Sequence, residues 1–174
     1  SKPVLRAMRR GGDAGSYLSL IERIRSVMPD IVLRTTLIAG FPGETREDVR
    51  TLHGFLEQAQ FDYVGVFPYS PESGTAAAEM DNQVPLRTRR ARAQRLRDIA
   101  EVIGFERAAQ RVGSSLQVLV EGVDEDDGVT IGRWRGQAPE IDGLVLLDSG
   151  EPGAIVTAGI VDSLGYDLEG EVRP

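Results

Sequence analysis

The sequence predicts an α/β segment of repeating strand–helix units, the closing part of a partial (β/α) barrel, followed by a small all-β barrel. Three observations carry that expectation. Near-continuous β-branched runs alternate with amphipathic helical stretches over the first 112 residues. From Ser114 on the period shortens to two, with Leu116, Val118 and Val120 alternating with Gln117, Leu119 and Glu121. The charge divides at the same place. Residues 113–174 hold 13 acidic and three basic side chains, about −10, whereas residues 1–112 hold 14 and 17, about +3. Such asymmetry predicts two domains, 1–112 and 113–174, with different partners.

The elements follow in order. Ala14 to Met28 reads as a helix, because Tyr17, Leu20, Ile21, Ile24, Val27 and Met28 recur at helical spacing. Asp13 can accept from the free amides of its first turn, and Pro29 closes it. Ile31 to Ala39 is β-branched and apolar and runs into Gly-Phe-Pro-Gly, the pattern of a strand covered on both faces. Thr45 caps a second helix, with Asp48 as a variant capping-box partner, and that helix reaches about Gln60. Tyr63 to Phe67 is a second buried strand, stopped by Pro68-Tyr69-Ser70-Pro71. Pro85 opens a long helix to about Arg111. Two strands do not make a stable sheet with both faces covered, so further units are expected ahead of Ser1. The lack of an initiator Met fits that expectation of a fragment.

Five short strands are expected in the last 60 or so residues. The first begins after Ser114; the others lie at Val129–Arg133, Leu144–Leu147, Ala154–Val161 and Tyr166–Val172. Gly and Asp clusters separate them, as in a closed or part-open barrel of the oligonucleotide-binding kind.

Composition narrows the chemistry. Cys is absent and His53 is the single histidine, so the chain has no disulfide framework and too few ligands for a zinc site or an iron–sulfur cluster of its own. No metal ligand and no catalytic residue is assigned to it. There is no apolar run of membrane-spanning length and no signal peptide at Ser1 to Arg6, which predicts a soluble, cytoplasmic chain without a membrane partner. Nineteen of the 20 basic residues are Arg, a bias that codon usage explains.

The stretch Ile38 to Thr45 sits where a strand ends and a helix begins, the place where parallel α/β folds bind ligands. Gly40 and Gly43 let a ligand approach the backbone, and the helix N-terminus supplies amides. No Lys follows Gly43, so the phosphate-loop pattern fails. A tight turn with its cap explains the same residues. Tyr69 and Ser70 lie at the equivalent end of the next strand. Arg34, inside an apolar strand, calls for an anionic partner from the protein or from a ligand. Arg87, Arg89, Arg90, Arg92, Arg95 and Arg97 stud the long helix; they bind phosphates, form a solvated face or pair with the acidic domain. Leu96, Ile99, Ala100 and Ile103 form its buried stripe, and His53 reads as a surface residue. Trp134 either stacks on a base or closes a barrel end.

The run Leu33 to Thr45 followed by Phe67 to Ala77 resembles the radical SAM methylthiotransferases. Ala138-Pro139-Glu140-Ile141-Asp142-Gly143, after Gly132-Arg133, is similar to that family's C-terminal TRAM domain. The resemblance covers essentially the whole chain. It implies a partial (β/α) radical SAM barrel followed by a TRAM domain. It also implies S-adenosyl-L-methionine and two 4Fe-4S clusters in the intact enzyme, one cluster making the 5′-deoxyadenosyl radical and the other serving sulfur transfer. The Cys-x-x-x-Cys-x-x-Cys ligands of the radical SAM cluster are not in this chain, so the chain alone is expected to be inactive.

By the same resemblance, Ile38, Gly40 and Glu44 fall on the I-x-G-x-x-E element that lines the adenine side, with Thr36 in place of the usual leading Gly. The implied cofactor-binding set is Arg34, Thr36, Ile38, Gly40, Phe41, Gly43, Glu44, Phe67, Tyr69 and Ser70. The implied substrate-recruiting set is Glu121, Asp124, Glu125, Arg133, Trp134, Glu140 and Asp142. One branch of the family modifies tRNA adenosine; the other methylthiolates an aspartate of small-subunit ribosomal protein twelve. The acidic last domain resembles the second branch. A domain at about −10 repels tRNA and attracts a basic ribosomal protein. The tRNA branch is the alternative, and a stand-alone RNA-binding module a second one.

Overall fold

The computed structural model describes residues 1–124 and 128–173. The chain divides into two compact units, Ser1–Ile103 and Gly104–Pro174.

The first unit opens with a short helix, α1 (Lys2–Ala7), which carries Pro3 in its first turn. The sequence reading had no element there. Helix α2 (Ala14–Val27) begins at Asp13, whose side chain accepts from the Ser16 amide at 2.9 Å while the Ser16 hydroxyl receives the Asp13 amide. Strand β1 (Arg34–Ala39) leads into helix α3 (Arg46–Ala59). Thr45 and Asp48 form the second reciprocal capping box. Each such cap contributes about 1 kcal/mol, by satisfying amides that have no partner inside the helix. Helix α3 stops at Gln60, in the left-handed conformation at φ +50°. Strand β2 (Tyr63–Pro68) then pairs parallel with β1, with Arg34 opposite Tyr63, Thr36 opposite Gly65 and Ile38 opposite Phe67. Helix α4 (Leu86–Ala109) runs on through Ile103 into the second unit.

One core serves the first unit. Ile21 of α2, Leu56 and Ala59 of α3, and Ala93, Leu96, Ala100 and Ile103 of α4 pack on Ala39 and Val66 of the sheet. Leu37, opposite Val66, joins that side. The strand expected to be covered on both faces is therefore corrected. Its other face carries Arg34, Thr36 and Ile38, all exposed, with Ile38 at 44%. The helices that form this core all cover the Leu37 side, so β-branched composition alone overstated the burial.

The second unit is a closed five-stranded barrel in the order β3-β4-β5-β7-β6. Its strands are β3 (Ser115–Val123), β4 (Thr130–Trp134), β5 (Val145–Leu147), β6 (Ile155–Leu164) and β7 (Asp167–Val172). Closure leaves no unpaired edge in so small a sheet. All neighbours are antiparallel except β5 and β7. The inward positions fall at every second residue, as the period of two requires: Val118 and Val120, Val145 and Leu147, Ala158 and Ile160. Gly132 is obligatory here, since a Cβ would sit against the Leu119 carbonyl oxygen of the paired strand. All five strands expected from the sequence are present.

Candidate functional site

The ten residues expected at the cofactor divide into three groups. Arg34, Thr36, Ile38 and Phe67 share the exposed face of the β1–β2 sheet, and Phe67 is 58% exposed. Alternation along the strands puts them there: Ile38 pairs with Phe67, Thr36 with Gly65, and Arg34 with Tyr63. Two apolar groups thus lie at one end of the face, a hydroxyl at its middle and a guanidinium at the other end. Arg34 is not buried, contrary to its expected setting in a covered strand. Its guanidinium lies 4.9 Å from the Tyr63 ring centroid, where the ring face attracts the cation.

Gly43 and Ser70 are exposed on the two loops at the strand ends. Gly43 has φ +82° with open space at its Cβ position, so only its backbone conformation requires glycine.

Gly40, Phe41, Glu44 and Tyr69 are buried and build the loops. The Glu44 carboxylate accepts from the Gly40 amide and from Arg92 Nη1, each at 2.8 Å, and Arg92 also donates to the Glu44 carbonyl. Burial pushes the Glu44 carboxyl above its ordinary range, against the opposing pull of Arg92 and the Gly40 amide. The Gly40 Cβ position is occupied by Arg89, including its backbone, so this glycine admits helix α4. The expectation that a ligand uses the space is corrected: protein fills it. Arg89 Nη1 donates to the Tyr69 carbonyl at 3.0 Å, and its guanidinium lies 5.3 Å from the Tyr69 ring centroid. Phe41 meets the Tyr69 ring edge-on at 5.3 Å. The Tyr69 hydroxyl is buried without a partner among the described residues.

Helix α4 supplies what the sequence reading did not resolve. Arg89 is buried, Arg92 reaches Glu44, and Arg97 Nη1 donates to the Val66 carbonyl at 2.8 Å. Three of the six helix arginines therefore hold β2 or the loops that follow the two strands, and Arg87, Arg90 and Arg95 are exposed. The available signal was their spacing. That signal was partial: Arg89, Arg92 and Arg97 neighbour the buried stripe of Ala93, Leu96 and Ala100 at offsets of three and four, but exposed Arg90 also lies three residues from Ala93. His53 is on the surface, with Nε2 3.4 Å from Glu57 Oε1.

In the barrel the residues expected to recruit substrate also divide. Trp134 is buried at 5% exposure, with the Arg111 guanidinium 4.6 Å from its ring centroid. Stacking on a base is excluded in this conformation, because the ring faces are already packed into the unit. Glu121 pairs with Arg133 at 2.6 Å across β3 and β4. The Asp142 carboxylate accepts from the Ala138 amide at 2.5 Å and so braces its own loop. Asp124 exchanges backbone hydrogen bonds with Val129 and Gly128 at the β3–β4 turn. Glu140 is exposed. Glu125 lies outside the described residues.

Residues 112–172 match the family model described as TRAM domain. Nearly the whole chain is similar to curated proteins named ribosomal protein uS12 methylthiotransferase RimO. The identity is 46% over 175 residues to the protein of Geobacter sulfurreducens, covering 99% of this chain and 39% of that protein. It is 45% to that of Anaeromyxobacter sp. strain Fw109-5, covering 99% and 37%, and 41% to that of Chromobacterium violaceum, covering 99% and 40%. The chain thus spans about two fifths of the length of these relatives.

Proposed function

We propose that this chain, related along nearly its whole length to the uS12 methylthiotransferases named RimO, is part of an enzyme that methylthiolates an aspartate of ribosomal protein uS12. On this reading residues 1–112 are the last units of a radical SAM barrel and residues 113–174 are the domain that recruits the protein substrate. The observation that carries it is the clustering of Ile38, Phe67, Thr36 and Arg34 on one exposed sheet face.

That face fits one wall of an S-adenosyl-L-methionine site. Ile38 and Phe67 offer apolar surface to a flat base, Thr36 offers a hydroxyl, and Arg34 offers a cation to an anionic group. On the loop that follows β2, the Tyr69 hydroxyl is a buried polar atom without a partner among the described residues. S-adenosyl-L-methionine supplies radical chemistry when bound; these residues bind it, orient it and exclude water from one side. Glu44, Arg89 and Arg92 fix the loop backbone and act by positioning. The 4Fe-4S clusters do not fit here, since the chain has no Cys. Their ligands belong to the remainder of the enzyme. The barrel's charge of about −10 favours a basic protein over tRNA.

The test uses the enzyme that contains this chain, with purified uS12 and tRNA as competing substrates. Mass spectrometry is expected to find the methylthio group on a uS12 aspartate. Modification of tRNA adenosine with uS12 untouched overturns the reading. Equilibrium dialysis of S-adenosyl-L-methionine adds a readout apart from turnover. Phe67→Ser is expected to weaken binding at least tenfold, and unchanged binding removes the assigned wall.

A further inference from the structure

The loop between β4 and β5 presents an apolar side chain that nothing in the fold explains. Ile141 is 79% exposed at its tip, the highest value among the exposed large hydrophobic residues. Glu140, beside it, has φ +59°, a left-handed conformation that disfavours a side chain and that Gly would adopt freely. A strained non-glycine residue at an exposed tip is a reason to look for function in its side chain.

The tip is also held rigid from both ends. At its start, the Gln137 amide donates to the Trp134 carbonyl at 3.0 Å, and the Trp134 amide donates to Gln137 Oε1 at 3.2 Å. In the middle, the Ala138 amide donates to Asp142, while the Ile141 and Asp142 amides donate back to the Ala138 carbonyl. At its end, a side chain at Gly143 would collide with the Tyr166 backbone, and the Leu144 amide donates to Asp167 Oδ1 at 2.7 Å. A knob held this way loses little conformational entropy when it docks.

We infer that Ile141 and Glu140 form a preorganised docking knob for a basic protein surface, with Ile141 entering an apolar recess and Glu140 meeting a cation at its rim. The inference rests on the barrel's reading as the substrate-recruiting domain. The partner follows from charge: the unit holding the knob carries 13 acids against three bases beyond residue 112. A polyanion meets repulsion there, and an exposed isoleucine gives a phosphate backbone nothing to bind. Trp134, Asp142 and the Glu121–Arg133 pair then serve as supports rather than contacts.

The experiment measures binding of uS12 to the full 174-residue chain by titration calorimetry at two salt concentrations. Ile141→Ser is expected to weaken binding about tenfold or more, the loss of one buried isoleucine. Ile155→Ser, at a site 68% exposed elsewhere on the barrel, is expected to leave binding unchanged. Glu140→Gly relieves the backbone and is expected to hold or raise the melting temperature while weakening binding and flattening its salt dependence. A purely structural Glu140 would show unchanged affinity. Wild-type affinity in Ile141→Ser overturns the knob even if the intact enzyme modifies uS12. If uS12 does not bind but another basic protein binds in an Ile141-dependent way, the knob stands and the assignment of uS12 falls. Ile141-dependent binding of tRNA in place of protein overturns both.

Discussion

The Glu44 carboxylate and the Arg92 guanidinium meet at 2.8 Å with side chains 3% and 16% exposed. This pair ties the loop after β1 to α4, and the Gly40 amide shares the same carboxylate oxygen. It sets the backbone course at the strand end beside the proposed cofactor wall.

Removing one partner of a nearly buried pair leaves a charge without compensation. Arg92→Ala is expected to cost about 3 kcal/mol in urea denaturation of the chain. Glu44→Gln takes the counter-charge from Arg92, but that guanidinium is the more exposed partner and keeps the residue 44 carbonyl, while the Gly40 amide keeps an acceptor, so a smaller cost of about 1–2 kcal/mol is expected. Equal costs for the two variants would refute the asymmetry.

Glu44 also carries a pH dependence. Burial raises its folded carboxyl above the unfolded value, so the folded chain holds this proton more tightly. The stability this contributes is complete below the unfolded value and is lost as pH rises through the folded one. Carbon NMR titration of the Glu44 carboxyl should place its midpoint above the ordinary glutamate range. Melting curves of wild type and Glu44→Gln should diverge across that window, with the wild type losing ground as pH rises.

Gly40 and Gly43 both have positive φ, but only Gly40 is crowded, by Arg89 of α4. Gly43→Ala is expected to cost about 1–2 kcal/mol for the backbone conformation alone. Gly40→Ala adds a collision with backbone and is expected to cost clearly more. Thermal denaturation of the two variants separates these effects.

Trp134→Ala empties a buried aromatic position, and a loss of about 3–5 kcal/mol is expected from denaturation. Single-stranded RNA binding by Trp134→Phe, measured by anisotropy, should match that of wild type. A selective loss would return Trp134 to the role of a stacking platform.

Much of the fold was legible because it depends on local pattern. Asp13 and Thr45 cap α2 and α3 through side chains three residues from their partners. The strands of the barrel follow from alternation; five short strands in a small span left a closed or a part-open barrel, and the structure is closed. The proposed cofactor face was legible only in part. The apolar run was expected to be covered on both faces, and nothing in its residue pattern showed that the helices cover only one, leaving Thr36 and Ile38 exposed on the other. The arginines of α4 misled for a related reason: a cation beside a buried stripe can turn outward to water or inward to a carbonyl, and Arg89, Arg92 and Arg97 turn inward.

The sequence by itself determined the succession of elements from α2 onward, the charge division between the two halves and the similarity to proteins named uS12 methylthiotransferase RimO, because each is written in neighbouring residues or in composition. Tertiary structure decided that Gly40 makes room for Arg89, that Trp134 is a core residue and that Ile141 stands clear at a braced tip. Those outcomes depend on which distant segment fills a given volume, and short-range pattern carries no record of that.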